Sequence, residues 1–326
     1  MTTARIVSLS ELGGADVIQL INQELPAPGR GEVQLRQTAI GFNFIDVYQR
    51  SGVYPLDLPT GLGHEAVGVV EALGEGVTRF KIGDRVMYMN AGIGAYASAR
   101  NVAVDKLVSV PDNVSDEVAA AVFFKAMTAQ YLIQKTYKVK SGDVVLVHAA
   151  AGGVGQILAG WAKSLGAFVV GSVGSEAKFA VAKEAGSDAV VDYSKPNWVE
   201  EFLKATGGRK ANVVYDSVAK TTFLGSLDCA APFATVALFG AASGPAPEIQ
   251  PEILNKKGCL FLTRPSVFPH NATPELLQEN ARAVFDAIAQ GRVKVKIAAN
   301  FSLEQAAEAH KAAEGRKVSG AIVITP

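Results

Sequence analysis

Three glycines stand directly after a buried-strand pattern, and their spacing is suited to holding a phosphate group. The apolar, β-branched run Val144–Val147 predicts a strand of a parallel sheet, and Gln156–Leu165 has a helical pattern. Between them lie Gly152, Gly153 and Gly155. Glycines let the backbone approach a pyrophosphate closely, and the N–H groups and positive dipole end of the next helix stabilise its charge. The chemistry predicted here is the binding of a dinucleotide.

The match to the dinucleotide pattern G-x-G-x-x-G is incomplete, because Ala150 stands where the first glycine is expected. A glycine-rich turn in another kind of α/β protein is therefore the alternative interpretation. The next segment favours the dinucleotide, since Phe168–Val173 is a second apolar run, as a β-α-β unit requires.

The residues after this second run indicate which dinucleotide binds. Gly174 leaves space where an NAD-binding protein usually has a carboxylate, Ser175 can donate a hydrogen bond, and Lys178 is one turn further on, within reach of a 2′-phosphate. Two alternatives stay open: Glu176 would favour NADH if it turned toward the ribose, and Lys178 would otherwise be a solvated surface charge. Beside a lysine, Glu176 is better explained as an acid at a helix start. The pattern favours NADPH.

Composition limits the classes of protein to consider. The chain has 326 residues, 49% of them hydrophobic, and its 31 basic and 31 acidic residues cancel. This length suits two domains, and the lack of a basic block argues against nucleic acid or an anionic membrane surface as partner. Cys229 and Cys259 are too far apart in sequence for a disulfide framework or a cysteine-rich zinc site. The N-terminus lacks a signal-peptide core, so we expect a cytoplasmic protein.

The pattern of apolar runs divides the chain into two kinds of structure. From Arg5 to about Gly83, short runs cut by glycine and proline predict a β-rich domain, and beyond Lys125 strands alternate with helices. The fold class predicted is α/β, with a doubly wound parallel sheet of the Rossmann type. We expect a substrate domain at 1–125, a dinucleotide domain at 126–265, and a return to the substrate domain at 266–326.

Several element bounds follow from local signals. The predicted strands include Thr235–Gly240, Cys259–Thr263 and the closing run Ala321–Ile324. The longest predicted helix is Pro274–Gln290, with Thr273 as its N-cap. A capping box is predicted where Ser302 is followed by Gln305.

Five segments together resemble one known family, the zeta-crystallin-like NADPH:quinone oxidoreductases of the medium-chain dehydrogenase/reductase superfamily. The segments are Ala39–Tyr48, Ser51–Tyr54, His148–Gly155, Val214–Ser217 and Thr263–Ser266. The resemblance runs nearly end to end. It implies a GroES-like β-rich substrate domain beside the Rossmann domain, a quinone held over the nicotinamide in a cleft between them, and usually a homodimer.

The motif and the resemblance together predict the cofactor-binding residues. They are Asn43, Thr128, Gly152, Gly153, Val154, Gly155, Gly174, Ser175, Lys178, Tyr193, Ser217, Phe239, Gly240 and Arg316. Among them, Lys178 and Tyr193 match the family's pair of contacts to the 2′-phosphate, in agreement with the separate argument from Gly174.

One tripeptide could suggest a metal. Gly63-His64-Glu65 is similar to a signature of the zinc alcohol dehydrogenases in the same superfamily. A catalytic zinc, however, needs about three protein ligands. Asn43 stands where a cysteine ligand is expected, and no cysteine lies near Lys125 for the other. We therefore predict no metal and interpret His64 as a structural or cleft-wall residue.

Without a metal or an obvious acid, the substrate must need positioning more than activation, as a quinone does. The aromatic and apolar residues predicted to form a flat slot are Phe42, Phe44, Ile45, Tyr48 and Tyr54. Asn43, Tyr48 and Tyr54 are the candidate substrate-positioning residues, and the two tyrosines can also donate a hydrogen bond to a carbonyl that gains charge. The alternative is that these aromatic residues are ordinary core.

Two other functions compete with quinone reduction. Reduction of an alkene conjugated to a carbonyl uses the same fold and the same hydride donor. A non-enzymatic NADPH-binding protein with a structural or RNA-binding role is the second alternative, and the balanced charge counts against it.

A homodimer is predicted from the hydrophobic strand Cys259–Leu262, which would be an aggregation hazard if exposed.

Overall fold

A computed structural model describes residues 2–294, 296–315 and 318–326. It divides into two compact units. The first, here the N-terminal unit, comprises the described residues of Met1–Lys125, Asn271–Phe285 and Val295–Pro326. The second, here the central unit, comprises Ala126–His270 and Asp286–Lys294.

The strands found in the described residues are β1 (Thr2–Ser8), β2 (Gln19–Leu25), β3 (Glu32–Gly41), β4 (Glu65–Leu73), β5 (Arg85–Tyr88), β6 (Ala99–Ala103), β7 (Val108–Ser109), β8 (Val144–His148), β9 (Phe168–Val173), β10 (Ala189–Asp192), β11 (Ala211–Asp216), β12 (Ala230–Leu238), β13 (Phe261–Thr263), β14 (Ile297–Ser302) and β15 (Ala321–Thr325). The α-helices of the same residues are α1 (Phe44–Arg50), α2 (Asp116–Tyr131), α3 (Gly153–Ser164), α4 (Phe179–Glu184), α5 (Trp198–Ala205), α6 (Phe223–Cys229), α7 (Glu252–Lys256), α8 (Val267–His270), α9 (Pro274–Ala289) and α10 (Ala306–Glu314).

The central unit is built on a six-stranded sheet in the order β10-β9-β8-β11-β12-β13, and each neighbouring pair is parallel. In chain order this is 3-2-1-4-5-6, the order of a Rossmann fold, which confirms the predicted doubly wound sheet. Every residue of β8 is buried, as its apolar sequence predicts for a central parallel strand.

The N-terminal unit contains a seven-stranded sheet with β3 near its middle. The order along the sheet is β14-β15-β3-β4-β5-β7, and β6 also pairs with β3. The C-terminal strand β15 runs antiparallel to β3, with Val323 opposite Gly41. The end of β3 at Gly41 is therefore paired with β15 on one side and with β4 on the other. The segment from Phe42 into α1 is held at that end.

Two predicted strand bounds are wrong, and backbone conformation gives the reason. β13 begins at Phe261 rather than Cys259, because Cys259 is left-handed, with φ 56°. β12 begins at Ala230 rather than Thr235 and includes left-handed Phe233 (φ 62°), whose N–H donates to the Gly258 carbonyl at 2.7 Å. Neither irregularity is visible in an apolar pattern.

The predicted caps are present. The Leu276 N–H donates to Thr273 Oγ1 at 3.3 Å at the start of α9. The capping box of Ser302 and Gln305 is also formed.

Candidate active site

The glycine-rich turn lies between β8 and α3 and leads directly into the first turn of that helix. It is closed by a 2.8 Å hydrogen bond from the Gly152 N–H to the Ala149 carbonyl, and Ala149 is left-handed, with φ 52°. A Cβ added to Gly155 would lie 2.2 Å from the Ala149 carbonyl oxygen. Gly155 thus lets α3 pack directly on the turn. Gly152, as N-cap, has no side chain to occupy the first N–H groups of the helix, which are then available to an anion.

Gly174 follows β9 and makes room for an aromatic ring. A Cβ at this position would lie 2.9 Å from the Tyr193 hydroxyl and 3.1 Å from its Cζ. The backbone brings the two together, because the Tyr193 N–H donates to the Val173 carbonyl at 2.9 Å. The sequence analysis interpreted Gly174 as space where an NAD-binding protein usually has a carboxylate, and the phenol of Tyr193 lies against this space.

Glu176–Lys178 form a single turn of 3₁₀ helix, and Ser175 precedes it in an extended conformation without a side-chain capping hydrogen bond. The Lys178 N–H donates to the Ser175 carbonyl at 3.1 Å. Glu176 is ion-paired with Lys195, and both side chains are more than half exposed. The acid whose orientation could have favoured NADH is therefore engaged with a surface lysine.

The ends of β11 and β12 contribute the next predicted contacts. Asp216 Oδ1 accepts the backbone N–H groups of Val218 and Ala219, each at 2.9 Å, so the chain turns sharply at Ser217. A Cβ on Gly240 would lie 2.6 Å from the Ser217 carbonyl oxygen. Ser217, Phe239 and Gly240 thus lie at neighbouring carboxyl ends of the parallel sheet, the edge where dinucleotides bind in this architecture.

Two other predicted contacts remain, one in a helix and one outside the described residues. Thr128 is a buried residue of α2. Arg316 lies outside the described residues.

Sequence reasoning missed a buried network that joins these strand ends. His148 Nδ1 hydrogen-bonds with Ser172 Oγ at 2.5 Å, and His148 Nε2 with Ser226 Oγ at 2.9 Å. The Ser226 hydroxyl donates to Asp216 Oδ2 at 2.8 Å. Burial lowers the pKa of His148. The imidazole also meets the Tyr193 ring edge-on, with ring centres 6.3 Å apart, so the network supports one of the predicted contacts.

In the N-terminal unit, three aromatic rings form a continuous row, here the aromatic trio of Phe44, Tyr48 and Tyr54. Phe44 and Tyr48 are 5.1 Å apart with their planes at 73°, and Tyr48 and Tyr54 are 5.2 Å apart at 58°. None of the three is buried, whereas Phe42 is buried, with its ring 5.0 Å from that of His310. Phe42 is thus a core residue, and the trio is the partly exposed aromatic surface.

Asn43 precedes the trio and is held in a buried polar cluster. Its Nδ2 donates to Glu65 Oε1 at 2.8 Å, and its Oδ1 accepts from Lys125 Nζ at 3.1 Å. Lys125 and Glu65 are 3.6 Å apart at their closest charged atoms. Burial raises the pKa of Glu65, and the Lys125 ammonium opposes that shift. This role of Lys125 could not be predicted from the sequence, because a lysine in an alanine-rich helix has the pattern of a surface residue.

The same cluster does not fit a catalytic zinc. His64 Nε2 hydrogen-bonds with Gln49 Oε1 at 2.9 Å, and burial lowers the pKa of the imidazole to about 4. Beside Glu65 stands the ammonium of Lys125, which repels a cation. Within residues 2–294, 296–315 and 318–326, no three histidine, cysteine, aspartate or glutamate side chains are grouped to hold a metal. In the same ranges, no helix is both long and apolar enough to cross a bilayer.

Comparison with known proteins agrees with this geometry. Residues 29–112 match the model of the alcohol dehydrogenase GroES-like domain, and residues 153–290 match that of the zinc-binding dehydrogenases. A quinone oxidoreductase of Pseudomonas aeruginosa is 44% identical over 99% of this chain and 100% of its own length. A 2-haloacrylate reductase of Burkholderia is 42% identical over 96% of each chain.

A solved structure extends the similarity to the fold. The quinone oxidoreductase of Escherichia coli complexed with NADPH is 42% identical, with a TM-score of 0.95 over 99% of this chain and 100% of that one. With a Rossmann sheet, a GroES-like unit and full-length relatives well above 30% identity, this chain belongs to the quinone oxidoreductase family of the medium-chain dehydrogenase/reductase superfamily.

Proposed function

We propose that this chain catalyses the reduction of quinones by NADPH without a metal ion. The observation that carries the proposal is the polar cluster at Asn43, in which the Lys125 ammonium is buried, followed directly by the partly exposed aromatic trio. It supplies a flat aromatic surface and fixed polar groups, which suits an acceptor that is planar and easily reduced. The quinone oxidoreductases of similar sequence support the same substrate class.

The central unit is proposed to bind NADPH at the carboxyl edge of its sheet. The backbone N–H groups of Gly153, Val154 and Gly155 at the α3 N-terminus would hold the pyrophosphate, and Gly152, as N-cap, leaves its approach free of a side chain. Ser175, Lys178 and Tyr193 would hold the 2′-phosphate, since the first and third can donate hydrogen bonds and Lys178 supplies charge. The predicted contacts Thr128, Ser217, Phe239, Gly240 and Arg316 remain proposals of the same kind. The NADPH bound to the Escherichia coli relative supports this cofactor.

When bound, NADPH supplies a hydride to the acceptor. The chain's part is to orient the quinone and to exclude water. Tyr48 and Tyr54 would position the ring by aromatic contact, and either hydroxyl can donate a hydrogen bond to the carbonyl oxygen as it gains charge. Because no side chain has to transfer a proton for the hydride to move, no single residue of the trio is expected to be indispensable.

Reduction of a conjugated alkene is the second candidate, supported by the 2-haloacrylate reductase relative. A panel assay separates the two functions: NADPH oxidation is followed with benzoquinone, naphthoquinone and substituted quinones, and in parallel with enones and 2-haloacrylate. Quinone reduction predicts a higher kcat/KM for at least one quinone than for every alkene. A higher kcat/KM for an alkene would replace the proposed function by this second one.

A homodimer is proposed through the edge strand β13. Phe261 on this strand is 62% exposed, and Phe233 on the neighbouring strand is 69% exposed. A surface cavity of about 610 Å³ borders the strand, lined in part by Phe261, Arg264 and His270. An exposed apolar edge invites pairing, and a second copy of the same strand would continue the sheet through a two-fold axis.

The proposed location is the cytoplasm. Cys229 and Cys259 are both free thiols, one buried and one exposed. Free thiols of this kind suit a reducing compartment.

A further inference from the structure

Two charged side chains are buried together in the N-terminal unit although neither is among the predicted contacts. The Lys125 side chain is 8% exposed and the Glu65 side chain 0%, and Nζ lies 3.6 Å from Oε1. Burying a charged pair is costly, and a well-packed apolar pair of the same size is often as stable or more so. Stability alone is therefore a weak explanation for a buried ion pair at these two positions, and another role has to account for it.

The hydrogen bonds of the pair converge on one side chain. The Lys125 ammonium donates to Asn43 Oδ1 at 3.1 Å and to the Phe42 carbonyl at 2.8 Å. Glu65 Oε1 accepts from Asn43 Nδ2 at 2.8 Å, and Glu65 Oε2 accepts the Phe124 backbone N–H at 2.8 Å. The carboxamide of Asn43 thus lies between a cation at its oxygen and an anion at its nitrogen.

This arrangement permits only one orientation of the carboxamide. Turned over, Asn43 would present N–H groups to the ammonium and its oxygen to the carboxylate, and both contacts would be repulsive. An apolar pair at positions 65 and 125 would fill the space but would not select an orientation. The two charges therefore determine the direction in which the Asn43 amide donates its hydrogen bonds. One N–H of Nδ2 donates to Glu65, and the other makes only a long 3.4 Å contact with the Gly41 carbonyl.

We propose that Lys125 and Glu65 are positioning residues, which orient the Asn43 carboxamide as a hydrogen-bond donor to the bound cofactor. This rests on the proposed function and on the contact between Asn43 and NADPH predicted from the sequence. Lys125 also holds the Phe42 carbonyl, so the backbone from the end of β3 to the start of α1 is fixed with the side chain. The ion pair thereby preorganises the Asn43 carboxamide for binding, so less conformational entropy is lost when the cofactor binds.

The test uses binding rather than turnover. Lys125→Met alone would leave the Glu65 carboxylate buried without its cation and is expected to fold poorly. Lys125→Met with Glu65→Gln removes both charges, keeps the volume, and leaves Asn43 intact but without the two charges that favour one orientation of its carboxamide. The Kd for NADPH, measured by cofactor fluorescence, is expected to rise roughly five- to tenfold, the size of one lost hydrogen bond, with a melting temperature near that of the wild type.

Two control variants give the largest and the smallest change in the Kd for NADPH with which the double variant is compared. Asn43→Ala removes the donor itself and sets the largest loss of affinity that orientation can cause. Arg85→Met with Asp116→Asn removes another ion pair of the same unit, 2.5 Å between Nη2 and Oδ1, and should leave the Kd for NADPH unchanged.

An unchanged Kd in the folded Lys125/Glu65 double variant, or in Asn43→Ala, would overturn the positioning role. If the double variant does not fold, Glu65→Gln alone decides. It removes the anion that holds Asn43 Nδ2, and its single amide oxygen can replace only one of the two carboxylate oxygens that accept from Asn43 and from the Phe124 N–H. A Kd equal to that of the wild type would then be the contrary result. Failure of the proposed function would look different, since the wild type would oxidise no NADPH with any quinone.

Discussion

At the scale of single residues, the choice between NADPH and NADH depends on the few side chains after β9. Gly174 lies against the Tyr193 phenol, and Glu176 is engaged with Lys195. The side chain left to supply positive charge for a 2′-phosphate in this segment is Lys178. NADH lacks that phosphate, so the two cofactors should respond differently to the loss of the charge.

Lys178→Ala is expected to raise the KM for NADPH while leaving the KM for NADH nearly unaffected. The loss of one charge-assisted hydrogen bond corresponds to about 1.5–3 kcal/mol, or roughly ten- to a hundredfold. Steady-state kinetics with both cofactors gives the ratio. Lys183→Ala on α4 is the matched control, an exposed lysine whose loss should change neither constant. Equal weakening toward both cofactors would exclude Lys178 as a phosphate contact.

Tyr54→Phe and Tyr48→Phe test whether the trio positions or activates the substrate. Each change keeps the ring and removes a hydroxyl, so mere positioning predicts a loss in kcat of less than about tenfold, under roughly 1.4 kcal/mol of barrier. Tyr54→Ala removes the ring and should act mainly on the KM for quinone. An essential donor to an oxyanion would instead cost about a hundred- to a thousandfold.

A loss of that size in either phenylalanine variant, with NADPH affinity and melting temperature intact, would contradict positioning. It would also favour the conjugated-alkene function, which has a greater need for a proton donor.

The absence of an expected ligand type could be recognised in the sequence, whereas the buried hydrogen-bond partners of the site residues could not. The lack of a cysteine at Asn43 argued against zinc, and the described cluster holds an ammonium instead. Lys125 and His148 gave no comparable signal. Their roles depend on which strands and helices pack around them, and that packing brings together residues 22 to 83 positions apart.

At the scale of elements, apolar periodicity located most strands well. The predicted bounds of β9 are those observed, because its β-branched run is flanked by glycines. The edge of the sheet was harder, since left-handed Cys259 shortens β13 by two residues relative to the prediction. That shift changes which side chains face outward: Leu260 is buried and Phe261 is exposed. A lysine at Leu260 would therefore test folding rather than association.

Phe261→Lys is expected to convert a dimer into monomers, because it places a charge at the centre of the proposed strand pairing. Light scattering at micromolar concentration measures the mass. Ile82→Lys, at another exposed apolar residue but in the N-terminal unit, should leave the mass unchanged. A wild type that is already monomeric under these conditions would refute pairing through β13.

At the scale of the whole molecule, the order of strands and helices was enough to predict a Rossmann sheet and a β-rich unit. The physical reason is that parallel strands joined by helices have few right-handed, unknotted arrangements. We expect from the sequence that residues 266–326 return to the β-rich unit, but the order of elements does not predict which strand they pair with. The reason is that the pairing of β15 with β3 is made across nearly the full length of the chain.

The central claim is that this fold reduces quinones with NADPH and without a metal, although its sequence matches the model of the zinc-binding dehydrogenases. The most direct measurement is the rate of NADPH oxidation by 1,4-benzoquinone after exhaustive chelation and dialysis, with the zinc content of the same sample determined by elemental analysis. We predict an undiminished rate at a zinc content far below one ion per chain. A rate that falls with chelation and returns when zinc is added would contradict the claim.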